Sequence, residues 1–173
     1  MTIVPDTKDW TWVLDRVCGE CGYDARSVIR DHVPSTIRRY AATWLEVLAT
    51  PGVRRRPGPR IWSPLEYGCH VRDVFRLYDE RLQLMIEEKN PLFPNWDQDA
   101  TALSDRYWEQ DPVVVSRALL EAADGIARRF AGVTDQQWAR TGRRTDGASF
   151  TVDSFARYFL HDPVHHLHDV GVD

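Results

Sequence analysis

The sequence predicts an all-α chain: a four-helix bundle with long connecting loops and a non-helical N-terminal arm. Three observations carry that prediction. Apolar residues recur at spacings of three and four in four separate stretches. Two of those stretches open on a Ser or Asp cap followed at once by Pro, a helix-start pattern. No stretch alternates apolar and polar residues as a half-buried strand does, and no internal repeat is found.

The first 22 residues, through "CGECG", show little helical periodicity and form the arm. From about Asp24 to Ala49, the residues Ile29, Val33, Ile37, Tyr40, Trp44 and Val47 mark one apolar face. Pro34 interrupts this stretch, so the helix either kinks there or starts near it. "TPGVRRRPGP" ends it. The second helix has the clearest start: Ser63 caps, Pro64 suits the first turn, and Glu66 completes a capping box. Val71, Val74, Tyr78, Leu82 and Met85 form its stripe, which ends before Asn90 and Pro91. Asp111 and Pro112 open the third helix, whose buried face is Val115, Leu119, Ala122, Ile126 and Phe130. Thr134–Trp138 adds a single turn, Arg140–Ser149 reads as a polar loop, and the last helix runs from about Thr151 to Asp169. One common core for four helices is a bundle, and residues 1–173 read as a single domain. The connections Asn90–Gln110 and Ala131–Phe150 are long for a bundle and suited to covering a site at one end.

Composition narrows the function. Net charge is −4 with scattered basic residues, so no nucleic-acid footprint is expected. Val53–Arg60 is the one basic run, and it reads as a solvated loop. No window approaches membrane-spanning length, and "MTIVPDTKDW" lacks the features of a secretory signal, so a cytoplasmic protein is expected. The odd count of cysteines (Cys18, Cys21 and Cys69) argues against a disulfide framework.

The chemistry concentrates in "YFLHDPVHHLHDV", Tyr158–Val170, which holds four of the 6 histidines. Residues four apart on a helix lie on one face, about 5–6 Å between Cβ atoms. His161 and His165 meet that condition and can converge on one ion, at about 2.0–2.1 Å if it is zinc. A third ligand must come from elsewhere. His70, two turns into the capped helix, points inward, whereas His32 beside Asp31 reads as a solvated surface residue. His166 and His168 are expected to face away, although His168 can stand in for His165. Pro163 disfavours a regular helix interior and suggests a kink. A surface or core HxxxH pair without metal is the plain alternative.

"EYGCHVRDV" on the second helix and "FLHDPVHHLHDV" on the fourth resemble the DinB-like metal-binding four-helix superfamily, over about Asp24 to Val170. Members include proteins that use low-molecular-weight thiols such as mycothiol or bacillithiol. The resemblance implies a divalent metal held by His70, His161 and His165, with zinc the first choice and nickel, iron or copper compatible. Three protein ligands leave an open position, as in catalytic zinc. It further implies a metal-dependent thiol S-transferase or isomerase that takes a low-molecular-weight thiol as co-substrate and a small electrophile as substrate. Members often dimerise, which allows a homodimer. A metal-dependent hydrolase, a non-catalytic metal-binding stress or sensor protein, and a metal-free interaction module stay open. Pro163 and the Cys-bearing arm depart from the family pattern.

Tyr158, one turn before His161, is the candidate catalytic donor or proton shuttle, with a packed core tyrosine as the alternative. Glu66, Asp73 and Asp169 are candidate acceptors for the outer N–H of a ligating imidazole. Trp62, Trp96, Trp108 and Trp138 are candidates for the pocket wall. Cys18 and Cys21 have CxxC spacing without a second CxxC. They read as a reversible disulfide, as a soft ligand near the pocket, or as a turn without chemistry. Cys69 is turned about 100° from His70 and reads as a small core hydrophobe.

Overall fold

A computed structural model describes residues 9–172. Four long helices build the bundle: α1 Val33–Leu48, α2 Pro64–Glu87, α4 Pro112–Ala131 and α5 Val152–Asp169. A short helix α3, Gln98–Ser104, lies in the connection between α2 and α4. Of the two starts open for α1, the structure takes the later: Pro34 occupies the first turn, where its missing N–H costs nothing. Residues just upstream form only 3-10 turns, Ala25–Ser27 and Arg30–His32. Ser63 and Glu66 close the expected capping box on α2, and Asp111 caps α4 by accepting from Val113 N. The apolar stripes meet in one core in which Trp44, Phe75, Leu82, Leu119, Phe130 and Phe159 are fully buried. Burial of this kind is worth roughly 1.5–3 kcal/mol per large side chain.

The connections hold structure that periodicity does not reveal. β1 Leu92–Phe93 pairs in parallel with β2 Thr141–Arg144, which pairs antiparallel with β3 Ser149–Thr151. The polar stretch Arg140–Ser149 is therefore mostly a hairpin rather than an open loop. Its strands are too short for alternation to stand out, and one inward position is a glycine. A Cβ on Gly142 would lie 2.7 Å from Met85 Cγ, so the hairpin packs on α2 only because that position is bare. Arg140 fastens the same hairpin to α2 by donating to the carbonyls of Met85 and Glu88, each at 2.7 Å. No helix among the described residues is long and apolar enough to cross a membrane.

The arm packs across α5. Thr11–Leu14 is a 3-10 turn, Tyr23 Oη donates to Arg157 O at 2.5 Å, and Arg157 Nη1 donates to Ala25 O at 2.7 Å. The first eight residues of the expected arm lie outside the described residues. Helix α5 runs unbroken through Pro163, whose buried carbonyl accepts from Trp44 Nε1 at 3.1 Å.

Candidate metal centre

The capping box fixes where α2 begins, and thereby where His70 points. Glu66 accepts from Ser63 N at 2.8 Å, and its carboxylate also binds the Arg56 guanidinium. Burial pushes this carboxyl up, and the Arg56 and Ser63 donors more than offset it, leaving it below its ordinary range. One turn after Glu66, His70 is fully buried, stacked on Trp96 (5.3 Å between centroids, 11° between planes) and tilted against Trp62 at 5.4 Å.

Helix α5 answers with two i,i+4 rows on neighbouring faces. One row is Asp162 and His166. Asp162 carboxylate oxygens lie 3.4 Å from His70 Nε2, and Oδ1 lies 3.9 Å from His166 Nε2. One donor atom from each of His70, Asp162 and His166 falls within 4.8 Å of the others. The other row is His161 and His165, whose rings are 4.8 Å apart. One donor atom from each of these two, with the sulfurs of Cys18 and Cys21, also lies within 4.8 Å of the rest.

The expected set of His70, His161 and His165 is therefore divided between two groups. One step along an α-helix turns a side chain by about 100°, so rows 161/165 and 162/166 cannot face the same way. The face that α5 turns toward His70 carries Asp162 and His166. His166, expected to point away, joins the group, while His168 and His32 are exposed as expected. Sequence reasoning missed Asp162, although its i,i+4 relation to His166 is as plain in the sequence as that of the histidine pair. Of the expected outer acceptors, only Asp169 serves here: it lies 2.8 Å from His166 Nδ1. That bond leaves Nε2 toward Asp162, the arrangement by which an outer carboxylate sets the tautomer of a ligating imidazole. Asp73 is instead held by Arg72 (2.8 Å) and the Tyr107 hydroxyl (2.6 Å).

Asp162 and His166 line a cleft of about 1150 Å³, which His161 and His165 also reach, while His70 lies fully buried behind them. Trp62, Tyr67, Trp96 and Tyr158 supply aromatic wall, and Arg81 and Arg144 supply cations. Trp138 is instead core, stacked on Phe130 at 6.0 Å, and Trp108 is partly exposed. Arg144 bridges Asp146 (2.7 Å) and the Tyr158 hydroxyl (3.4 Å). Burial raises Tyr158 above its ordinary value and Arg144 opposes the shift, so the phenol keeps its proton at neutral pH. Cys69 is buried, as expected, with Sγ 3.9 Å from Tyr107 O, and burial pushes its thiol up to about 12.

A divalent cation fits the cleft group on two grounds. Asp162 Oδ1 is buried without a hydrogen-bond partner among the described residues, a costly condition for an anionic oxygen unless a cation neutralises it. Burial raises the Asp162 carboxyl, yet the facing His70 and His166 rings more than offset this and hold it down at about 2. Two imidazoles and one carboxylate are also a donor set found in catalytic zinc sites, which keep a fourth position open.

Known proteins share this architecture. The profile of the DinB superfamily matches residues 35–170. A solved structure, that of YfiT from Bacillus subtilis, described as a probable metal-dependent hydrolase with an unusual four-helix bundle topology, superposes with a TM-score of 0.73 at 18% identity. The match covers 83% of this chain and 87% of that one. No curated protein matches the chain. With most of its length matched by the family profile, from the first turn of α1 to the end of α5, this chain belongs to the DinB superfamily.

Proposed function

We propose that the protein is a metal-dependent enzyme whose divalent ion, zinc by first choice, is held by His70, Asp162 and His166. We propose further that it transfers a low-molecular-weight thiol to a small electrophile in the cytoplasm. The observation that carries this reading is a three-ligand group of mixed imidazole and carboxylate, two of whose members, Asp162 and His166, line a cleft of about 1150 Å³. That volume exceeds the usual range for one small ligand, roughly 300–1,000 Å³, and leaves room for a thiol beside a second reactant. When bound, the ion supplies a Lewis acid that favours the thiolate of a thiol at its open position. The chain's own residues do the rest. Asp169 orients His166, and Asp162 supplies the anionic ligand between the two neutral imidazoles. Arg81 and Arg144 attract an anionic group of either reactant. Tyr158, a protonated phenol on the wall, is placed to donate to a leaving group.

Hydrolysis is the second reading. It is favoured by the likeness to YfiT, itself described as a probable metal-dependent hydrolase, and by a donor set also used in hydrolytic zinc enzymes. One experiment separates the two. Zinc-loaded protein is incubated with mycothiol and monochlorobimane, and in parallel with p-nitrophenyl esters without thiol. Conjugate formation that depends on His70 supports transfer, and ester turnover without thiol supports hydrolysis. Neither activity in the loaded protein rejects the enzymatic reading and favours a metal-binding protein without turnover.

A further inference from the structure

The remaining group on α5 shares none of the three cleft ligands and has a different chemistry. Cys18 is buried and Cys21 half-buried, and both are free thiols. Cys18 Sγ lies 3.8 Å from His165 Nδ1. In a tetrahedral zinc site with Zn–S of about 2.3 Å and Zn–N of about 2.0–2.1 Å, sulfur and nitrogen are separated by about 3.5 Å. The outer nitrogen of His165, Nε2, faces Glu20 (3.5 Å) and Asp169 (3.9 Å), carboxylates suited to orient a ligating ring. Nε2 of His161, a residue 4% exposed, has no hydrogen-bond partner among the described residues.

The backbone around the cysteines is also shaped for the task. Cys18 N donates to Tyr23 O at 2.8 Å and Gly22 N donates to Cys18 O at 2.9 Å. These bonds fold "CGECG" into a tight knuckle whose last residue, Gly22, sits at φ +75, open to glycine. Trp10 covers both rings of the row, with centroids 5.3 Å from His161 and 4.9 Å from His165, and Tyr23 packs on His161 at 5.4 Å.

We infer that Cys18, Cys21, His161 and His165 form a second metal site, a coordinatively closed Cys2His2 zinc that staples the N-terminal arm to α5. On binding, the two thiols release two protons; two thiolates and two neutral imidazoles then leave the Zn²⁺ centre without net charge. With four protein ligands no position stays open, so the site is structural. It has a functional consequence all the same. Asp9, Trp10 and Glu20 on the arm also line the cleft, so the staple holds part of that wall in place.

The test is metal analysis of the full-length protein expressed with zinc. Two equivalents are expected in the wild type, one in His70→Ala and one in Cys21→Ser. Cobalt-substituted His70→Ala should show sulfur-to-cobalt charge transfer and the strong visible absorption of tetrahedral cobalt. Titrating wild-type thiols with an organomercurial should release one equivalent of zinc, a readout that needs no variant to fold. Three results overturn the inference: zinc content unchanged in Cys21→Ser, a cobalt spectrum in His70→Ala without the sulfur band, or Cys18 and Cys21 isolated as a disulfide. Each leaves the cleft ion untouched. Loss of metal in Asp162→Ala tests that ion alone, so the two readings fail separately.

Discussion

Two adjacent faces of one helix carry the same four-residue spacing and lead to opposite kinds of site. On the face of Asp162 and His166, the third donor is the buried His70 of α2, and no second residue of that helix joins the group. On the face of His161 and His165, the arm supplies two sulfurs and covers the row with Trp10. The spacing is common to both, so it does not distinguish a catalytic from a structural ion. The partner element does. A helix partner contributes one residue per turn and leaves a gap, whereas a CxxC knuckle brings two ligands within one turn of chain and fills the shell.

The largest effect is expected on removing one carboxylate. Asp162→Ala should lose the cleft ion and at least ~100-fold in conjugation rate, as expected when one of three ligands to a Lewis acid goes. The Cys2His2 ion should remain, as read by metal content and steady-state kinetics. Retention of two ions would mean that the faces are not separate. Next, Asp169→Asn weakens the acceptor behind His166. A loss of roughly 10–100-fold in cleft-metal affinity is expected, measured by competition with a chelator. A smaller, purely structural effect should follow Gly142→Ala. The added methyl meets Met85 and Phe93, and about 1–3 kcal/mol of stability should be lost in denaturant titration with metal content unchanged.

The smallest effect sharpens the α2 side. Glu66→Gln keeps the shape of the capping box but removes the charge that Arg56 binds, costing about 1–2 kcal/mol at neutral pH. The folded carboxyl titrates below its ordinary value of 4.5, so the unfolded chain binds the proton first as pH falls. The contribution is full above about pH 4.5 and is lost as pH drops through the lower folded value. In Glu66→Gln that part of the acid-side decline in stability should be missing, and an unchanged slope would reject the assignment.

The family resemblance and the scaffold were legible for local reasons. Caps act through bonds between residues three apart, as Ser63 and Glu66 do, and a buried stripe repeats with the helix itself, as Val71 to Met85 does. These are properties of neighbours along the chain, so four helices, the starts of α2, α4 and α5, and an α5 dense in metal donors could be read from the sequence alone, whereas the start of α1 was left between two positions. It also marked His70 as inward-facing. The rotation of α5 about its own axis was decided only by the fold. It is set by the packing of Phe155 and Phe159 on α2 and α4, and by Trp44 gripping Pro163, contacts between residues far apart in sequence. That rotation assigns Asp162 and His166 to His70, and His161 and His165 to the cysteines. A turn of about 100° separates the two choices, and spacing within one helix is blind to it because the period is the same for both rows.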